Sequence, residues 1–180
     1  MGIQKITLLN LGRFDRNILE KISSAVHLEF LLKVEVIENH SDLTVFFDSG
    51  RKQYNGNSLL KMLEANFGND ESKTMALVTV DLFIPILTYI FGQAYLGGRT
   101  GITSSHRLSN ERYGLEKDEK LFTLRIIKEV NHELGHCFGL IHCHQPGCVM
   151  QSSTYVEDID QKETGFCSSC AEKLKTGITS

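Results

Sequence analysis

The sequence predicts a single α/β domain that is built on a largely parallel β-sheet. The chain has 180 residues, of which 41% are hydrophobic and 23% are charged, and this is the composition of one ordinary globular domain. Segments with strand character alternate with segments of helical periodicity along the first half of the chain. Such an alternation is typical of βαβ units, in which helices connect parallel strands.

Six segments carry this alternating pattern. In chain order they are a β-rich start at 3–11, a helix at 15–28, short strands at 34–37 and 45–47, a helix at 58–67 and a buried strand at 74–82. The first helix is predicted by the helical spacing of its apolar residues, and the second is expected to end at Gly68. The last strand is predicted by a continuous run of apolar and β-branched residues.

The second half of the chain changes character twice. Gly97 and Gly98 indicate a tight turn between two short strands, and the second strand, at 100–105, is expected at an edge of the sheet. The longest helical pattern follows at 119–138. Beyond Gly139, four of the five cysteines lie between residues 143 and 170.

Charge and hydropathy argue against two classes of partner. The net charge is -3 and the sequence shows no basic patch, so we expect no nucleic-acid partner. The longest apolar run, at 82–91, is too short to span a bilayer and contains Pro85, so we expect no membrane span. The N-terminus lacks the basic region and the cleavage site of a secretory signal. We therefore expect a cytoplasmic protein with reduced thiols; no pattern indicates an oligomeric state.

Three histidines and a glutamate between residues 132 and 142 are the clearest candidates for chemistry. His132 and His136 are four residues apart, so a helix places both on one face, where two imidazoles can share one metal ion. Zinc prefers nitrogen and sulfur ligands, and a catalytic zinc keeps one position open for water. Glu133 is then the expected general base, which accepts a proton from that water.

His142 is the expected third ligand of this zinc. Gly139 lies three residues after His136, where a residue in the left-handed conformation ends a helix at low cost and lets the chain bend back. Gly135 is interpreted as allowing close packing against a neighbouring element. Glu129, one turn before the motif, is either a partner of a ligand histidine or, in the interpretation that we favour, an ordinary carboxylate on the helix surface.

A second metal site is predicted from four cysteines with the spacing C-x4-C and C-x2-C. They are Cys143, Cys148, Cys167 and Cys170. Four thiolates suit a closed structural zinc site, which contributes directly to the free energy of folding. The alternatives are two disulfides, which a reducing compartment disfavours, or buried thiols, which do not fit a segment so poor in apolar residues. Cys137 is expected in the core and His144 in an exposed loop.

From His132 to Met150 the sequence resembles the metzincin metallopeptidases, with Met150 in the place of their Met-turn methionine. The continuation through the four cysteines resembles the archaemetzincins in particular. Further matches to that family are Val80–Leu82, Phe91–Ala94, Leu96–Gly98 and Ser105–Leu108. The resemblance covers about residues 74–170.

The resemblance implies a metzincin-like α/β fold. Its parts would be a twisted mixed, largely parallel sheet with an antiparallel edge strand, a long active-site helix and a small zinc-stabilised C-terminal part. The single catalytic domain, 1–180, would divide into residues 1–142 and 143–180. The strand at 100–105 would run above the cleft and pair with an extended substrate, and Met150 would form an apolar floor beneath the catalytic zinc. Ser152 stands where some metzincins have a tyrosine near the metal, so no tyrosine switch is expected.

Together these features predict a zinc metallopeptidase with two zinc ions per chain, one catalytic and one structural, acting on a peptide or protein substrate. Arg99, His106 and Arg107 are candidates for substrate contact, although solvated surface charge is the favoured interpretation. Three alternatives stay open: a zinc-binding protein with little or no peptidase activity, a hydrolase of a non-peptide amide, and a scaffold that works through its cysteine site. Glu133 argues against the first, because binding alone needs no general base.

Overall fold

The computed structural model describes residues 2–179, and within them the chain forms nine β-strands and five α-helices. The strands are β1 (Lys5–Asn10), β2 (Lys33–Glu38), β3 (Phe47–Asp48), β4 (Gln53–Asn55), β5 (Ser72–Val78), β6 (Leu82–Ile84), β7 (Leu87–Ile90), β8 (Gly92–Ala94) and β9 (Thr100–Ser104). The helices are α1 (Arg16–Phe30), α2 (Gly56–Phe67), α3 (Glu119–Cys137), α4 (Val156–Asp160) and α5 (Ser168–Thr179).

The main sheet has five strands in the order β2-β1-β5-β9-β8. Strand β1 is parallel to both β2 and β5, and β5 is parallel to β9. Strand β8 is antiparallel to β9 and lies at the edge of the sheet. The predicted α/β class, with a largely parallel sheet and an antiparallel edge strand, is therefore confirmed.

The prediction that residues 100–105 form the edge strand is wrong. Strand β9 lies between β5 and β8, and all five of its residues are buried. The turn at Gly97 and Gly98 does join two strands, but the hairpin turns so that β8, the earlier strand, lies outermost. The small and polar residues of β9 look like those of an edge, and only long-range pairing with β5 shows that they are interior.

A second sheet of four strands, in the order β3-β4-β6-β7, corrects two further expectations. The strand expected at 45–47 is a 3₁₀ turn at Thr44–Phe46 that leads into the short β3. The strand expected at 74–82 ends at Val78, and the chain then leaves the main sheet to begin β6 in the second sheet. A continuous apolar run cannot reveal that its two ends belong to different sheets.

Helix α3 is the element that carries the predicted metal motif, and it runs through the core. It begins where the side chain of Asp118 accepts a hydrogen bond of 2.8 Å from the backbone N–H of Leu121, a standard N-cap. Most residues of α3 after Thr123 are buried, including Ile126, Val130 and Leu134. A buried aliphatic side chain of this size stabilises a fold by about 1.5–3 kcal/mol, so these residues hold the helix that carries the motif in the core.

The C-terminal segments share this core. Met150, Ile159 and Leu174 belong to the same buried cluster as Leu8 on β1 and Leu134 on α3. None of the helices formed by residues 2–179 combines the length and the apolarity that crossing a membrane requires.

Candidate metal centre

The three predicted histidine ligands converge on one point. His132 and His136 project from the same face of α3, and His142 follows the end of that helix. One ring nitrogen from each of the three lies within 4.8 Å of the others, and the Nε2 atoms of His132 and His136 are 3.1 Å apart. The predicted spacing therefore does bring the three imidazoles together.

The hydrogen bonds of two of these rings determine which nitrogen is free. Nδ1 of His132 donates to the carbonyl of Val149 at 2.8 Å, and Nδ1 of His136 donates to the carbonyl of Leu140 at 2.7 Å. Because a carbonyl oxygen can only accept, each Nδ1 carries the hydrogen and each Nε2 has a lone pair. Two lone pairs that face each other at 3.1 Å repel unless a cation lies beside them, so this donor set fits zinc.

Gly139 ends the helix in the way that the sequence predicts. Its φ of 88° lies in the left-handed region. Its N–H donates to the carbonyl of His136 at 2.9 Å, and the N–H of Leu140 donates to the carbonyl of Gly135 at 2.9 Å, which is the Schellman arrangement. This turn brings the carbonyl of Leu140 to Nδ1 of His136 and directs the chain back to His142.

Burial sets the protonation of the site. It lowers the pKa of all three histidines, that of His132 well below the ordinary value, with Lys162 as a further cause. Neutral imidazole is the form that binds a metal. Burial also raises the pKa of Glu133 well above its ordinary value, and the carboxylate of Glu129 adds to that shift. Glu133 is thus a stronger base than an exposed carboxylate.

Met150 and Gly135 are in close contact. Met150 is fully buried, and a β-carbon on Gly135 would collide with its Sδ and would lie 3.1 Å from Cε1 of Phe166. The backbone carbonyl of Met150 also accepts a hydrogen bond of 2.9 Å from the N–H of Cys143, directly after His142. The turn that contains Met150 therefore packs against the helix face between the two ligand histidines, as the interpretation of Gly135 requires.

The four cysteines also form a cluster. One Sγ from each of Cys143, Cys148, Cys167 and Cys170 lies within 4.8 Å of the others, and none of them is in a disulfide. The backbone N–H of Gln145 points at Sγ of Cys143 at 3.4 Å, and a hydrogen bond from the Cys170 backbone lowers the pKa of Cys167 to about 7. Burial raises the pKa of Cys148 and Cys170, so those two thiols need a cation beside them to ionise, and four cysteine sulfurs this close together are a donor set that fits zinc. Cys137 is buried outside the cluster, and His144 is exposed, as expected.

Glu129 differs from its favoured interpretation as a surface carboxylate. It is 3% exposed, and its Oε1 accepts a hydrogen bond of 3.2 Å from Nζ of Lys162. Burial raises the pKa of Glu129, and Lys162 opposes that shift. The side chain of Lys162 is 1% exposed and also donates to the carbonyl of Gln151 at 3.1 Å. Sequence reasoning missed Lys162, since a lone lysine far from the motif gives no local signal.

The three candidates for substrate contact are partnered elsewhere. Arg107 makes two hydrogen bonds with Asp81, at 2.6 and 2.7 Å, and its guanidinium lies over the ring of Tyr89 at 4.0 Å. Arg99 pairs with Glu64 at 2.6 Å, and Nδ1 of His106 lies 3.2 Å from the carbonyl of Thr79. Their assignment as substrate contacts stays a prediction, and none of the three lines the cavity beside the histidines.

A cavity of about 300 Å³ opens beside His132 and Glu133. Its walls come from residues 87–92 on one side and residues 153–155 on the other, and its lining also includes Glu129 and Lys162. The cavity therefore lies next to one of the predicted metal ligands and next to the expected general base.

Comparison with known proteins identifies the family. The profile of Peptidase family M54 matches residues 16–176. The chain belongs to this family. A curated archaemetzincin from Saccharolobus solfataricus is 32% identical over 177 residues, which cover 97% of this chain and 95% of the relative. As a member of the archaemetzincin family, the chain is a zinc metallopeptidase that acts on peptides or proteins.

Solved archaemetzincin structures confirm the fold. The crystal structure of an archaemetzincin from Methanopyrus kandleri has a TM-score of 0.85 at 31% identity and covers 99% of this chain and 97% of its own. A zinc-dependent peptidase from Methanocorpusculum labreanum has a TM-score of 0.81 at 28% identity and covers 94% of this chain and 99% of its own. The metzincin-like resemblance noted in the sequence is thereby confirmed over nearly the whole chain.

Proposed function

We propose that this archaemetzincin family member hydrolyses peptide bonds with Glu133 as general base, at a zinc ion that His132, His136 and His142 hold. The observation that carries the proposal is the pair of Nε2 atoms 3.1 Å apart, each left with a free lone pair because Nδ1 of the same ring donates its hydrogen bond to a backbone carbonyl. Glu133 lies on the same helix, next to one of these ligands, and is 5% exposed.

A zinc ion in this position would polarise the scissile carbonyl and lower the pKa of an attacking water. Glu133 accepts the proton that the water loses and later donates it to the amine that leaves. Its buried carboxylate suits this role, because the raised pKa strengthens it as a base. Gly92 supports the same side chain, since it leaves room for Glu133 where any larger residue would intrude.

The free edge of β8 is the proposed binding strand for an extended substrate. Strand β8 ends the order of the main sheet, so one of its edges has no partner strand among residues 2–179. An unpaired edge offers backbone N–H and C=O groups to a peptide that adds as a further strand. Gly92, the first residue of β8, lies against Glu133, so a peptide on this edge would pass the general base. The free edge of β8 thus takes the place of residues 100–105, which were expected from the sequence to pair with an extended substrate.

A second zinc ion at the four cysteines is proposed to connect residues 143–180 to the catalytic part, residues 1–142. Cys143 directly follows the ligand His142, so any displacement of the cluster would displace that ligand. Thiol ligands must stay reduced to bind zinc, which suggests a reducing compartment.

The proposal is tested with a diverse peptide mixture whose products are identified by mass spectrometry. Wild type and Glu133→Gln are compared after zinc loading, with the zinc content of each measured by inductively coupled plasma mass spectrometry. We expect cleavage by the wild type, loss of at least about a hundredfold in rate for Glu133→Gln, and two zinc ions per chain in both proteins.

Two results would contradict the proposal. Equal cleavage by both proteins would remove Glu133 from the mechanism. Two bound zinc ions without cleavage by either protein would favour a zinc-binding protein with little or no peptidase activity. His142→Ala is the companion variant, because loss of one zinc ion without loss of the fold would locate the catalytic ion at the histidines.

A further inference from the structure

The cavity beside Glu133 has a floor of unusual chemistry. Glu129 and Lys162, each 3% exposed, are the least exposed charged residues of its lining, below Glu133 at 5%, and in this sense they form its floor. They form an ion pair with 3.2 Å between Oε1 of Glu129 and Nζ of Lys162. A charged side chain that reached this floor would meet one ion of its own sign, so the floor favours a neutral group.

Two groups that line the cavity, Lys162 and Ser153, have unused hydrogen-bonding capacity. An ammonium group has three N–H donors, and Lys162 has two acceptors among the described residues, Glu129 and the carbonyl of Gln151. Ser153 also lines the cavity, and its Oγ is shielded and has no hydrogen-bond partner among residues 2–179. Buried polar atoms in proteins nearly always have a partner, so a bound polar group that this hydroxyl met by rotating about χ1 would supply one.

The walls above this floor are apolar and aromatic. Tyr89, Ile90 and Phe91 line one side, and Tyr155 stands on the other. The hydroxyl of Tyr89 donates to the carbonyl of Thr154 at 2.8 Å, which joins the two sides. Arg107, stacked on Tyr89 and paired with Asp81, supports that wall from behind. These contacts hold the ring of Tyr89 in place as part of the wall.

We propose that this cavity selects substrates with a tyrosine next to the cleaved bond, and that Ser153 and the Glu129–Lys162 pair determine this specificity. The inference rests on the proposed peptidase function and adds the class of substrate. A tyrosine ring packs against the aromatic wall. Its neutral hydroxyl can accept from Lys162 and exchange a hydrogen bond with Ser153. Phenylalanine would fill the same volume but leave both groups unpaired.

The test uses peptides that differ only in the residue next to the cleaved bond, on the side that the peptide mixture identifies. Tyrosine, phenylalanine, glutamate and lysine are placed there in turn. We expect kcat/KM for the tyrosine peptide to exceed that for phenylalanine by about tenfold or more, since a buried polar site rejects an analogue that cannot satisfy it. We expect kcat/KM for the glutamate and lysine peptides to be lower than that for the phenylalanine peptide.

Matched variants separate the specificity from the fold. Ser153→Ala is expected to bring the tyrosine to phenylalanine ratio down by about threefold or more, chiefly by weakening the tyrosine peptide. Ser152→Ala makes the same chemical change at the exposed neighbour, which does not line the cavity, and should leave the ratio unchanged. Lys162→Met removes the cationic partner of Glu129 and should therefore raise kcat/KM for the lysine peptide. Glu129→Gln removes the anionic partner of Lys162 and should raise kcat/KM for the glutamate peptide.

Binding to Glu133→Gln keeps the inference testable without turnover. Calorimetry with the same peptides should rank tyrosine above phenylalanine for this variant. Equal kcat/KM for tyrosine and phenylalanine in the wild type, or a ratio that Ser153→Ala does not change, would overturn the inference and leave the peptidase function standing. If no peptide is cleaved, the proposed function fails, and the binding ranking alone decides whether the cavity prefers tyrosine.

Discussion

Gly92 lies directly against the side chain of Glu133. A β-carbon on Gly92 would come within 2.7 Å of both Cγ and Oε1 of Glu133 and within 2.8 Å of the carbonyl of Ile102. The first residue of the edge strand and the proposed general base therefore share a space that only glycine leaves open. This contact connects the strand proposed to bind substrate with the group proposed to move the proton.

Gly92→Ala is expected to lower kcat by about tenfold to a hundredfold, because the new methyl group displaces the Glu133 carboxylate and small misplacements of a catalytic group are costly. Steady-state kinetics and zinc content are the measurements, and zinc content should not change. The double variant Gly92→Ala with Glu133→Gln is the control. If Gly92 acts through Glu133, the glycine substitution adds little to the loss already caused by Glu133→Gln; full additivity would contradict the prediction.

Gly139→Ala is expected to loosen zinc binding. Alanine in the left-handed conformation costs about 1–2 kcal/mol, and a shift of this turn moves the carbonyl of Leu140 away from Nδ1 of His136. Loss of such a supporting hydrogen bond weakens metal affinity by about tenfold to a hundredfold. Competition with a chromogenic chelator measures the change.

Gly114→Ala is the matched control for that experiment. Gly114 has a φ of 74° and, like Gly139, has open space around its β-carbon position. Its substitution should lower stability to urea by a similar amount and leave zinc affinity unchanged. Equal loss of zinc affinity in both variants would mean that the effect of Gly139→Ala is general destabilisation.

Cys170→Ala is expected to reduce the zinc content from two ions to one and to lower the melting temperature. Three thiolates leave the tetrahedral site incomplete, and a structural zinc contributes directly to folding. Cys137→Ala makes the same chemical change at a buried cysteine outside the cluster and should keep both ions. A Cys170→Ala protein that retained two zinc ions would contradict the assignment of the ligands.

The pair of Arg107 with Asp81 is expected to stabilise the protein at neutral pH and to lose that effect only in acid. Burial raises the pKa of Asp81, but hydrogen bonds from Arg107 and Gln53 outweigh it and lower the pKa below its usual value. A lowered pKa means that the folded state binds fewer protons than the unfolded state, so the stabilisation is present above the unfolded value of about 3.9 and declines as pH falls through the folded value.

Asp81→Asn is the corresponding variant, and urea unfolding followed by circular dichroism is the measurement. The wild type should be more stable by a constant margin between pH 7 and about pH 5, and the margin should shrink only near and below about pH 4. A margin that already declines between pH 7 and pH 6 would show that a different group titrates.

Local spacing made most of the proposed metal site predictable. Two histidines four residues apart share a helix face in any α-helix, and Gly139 stands where a helix can end cheaply. The structure confirms the expected turn and brings His142 to the other two rings. The four candidate cysteines were found in the same way, because pairs of thiols separated by two to four intervening residues are typical of zinc sites.

The missed features depend on contacts between distant segments. Glu129 looked like a surface residue because its partner, Lys162, lies 33 positions further along the chain. Strand β9 looked like an edge because its small polar residues give no sign that β5 lies beside it. The local sequence around Glu129 does not indicate that it is buried, and the local sequence of β9 does not indicate which strand it pairs with.

By itself, the sequence predicted the class of fold and the proposed zinc ligands, because these follow from periodicities and spacings that the backbone geometry of helices and strands makes local. The family was indicated by the resemblance of its motifs to those of the archaemetzincins. Only the tertiary structure decided which strand has the free edge, which charge lies beside Glu129, and that a cavity with Ser153 and Lys162 in its lining opens next to Glu133. These properties arise when segments far apart in the chain exclude water from one another. Burial, pairing and pKa shifts of that kind are not properties of either segment alone.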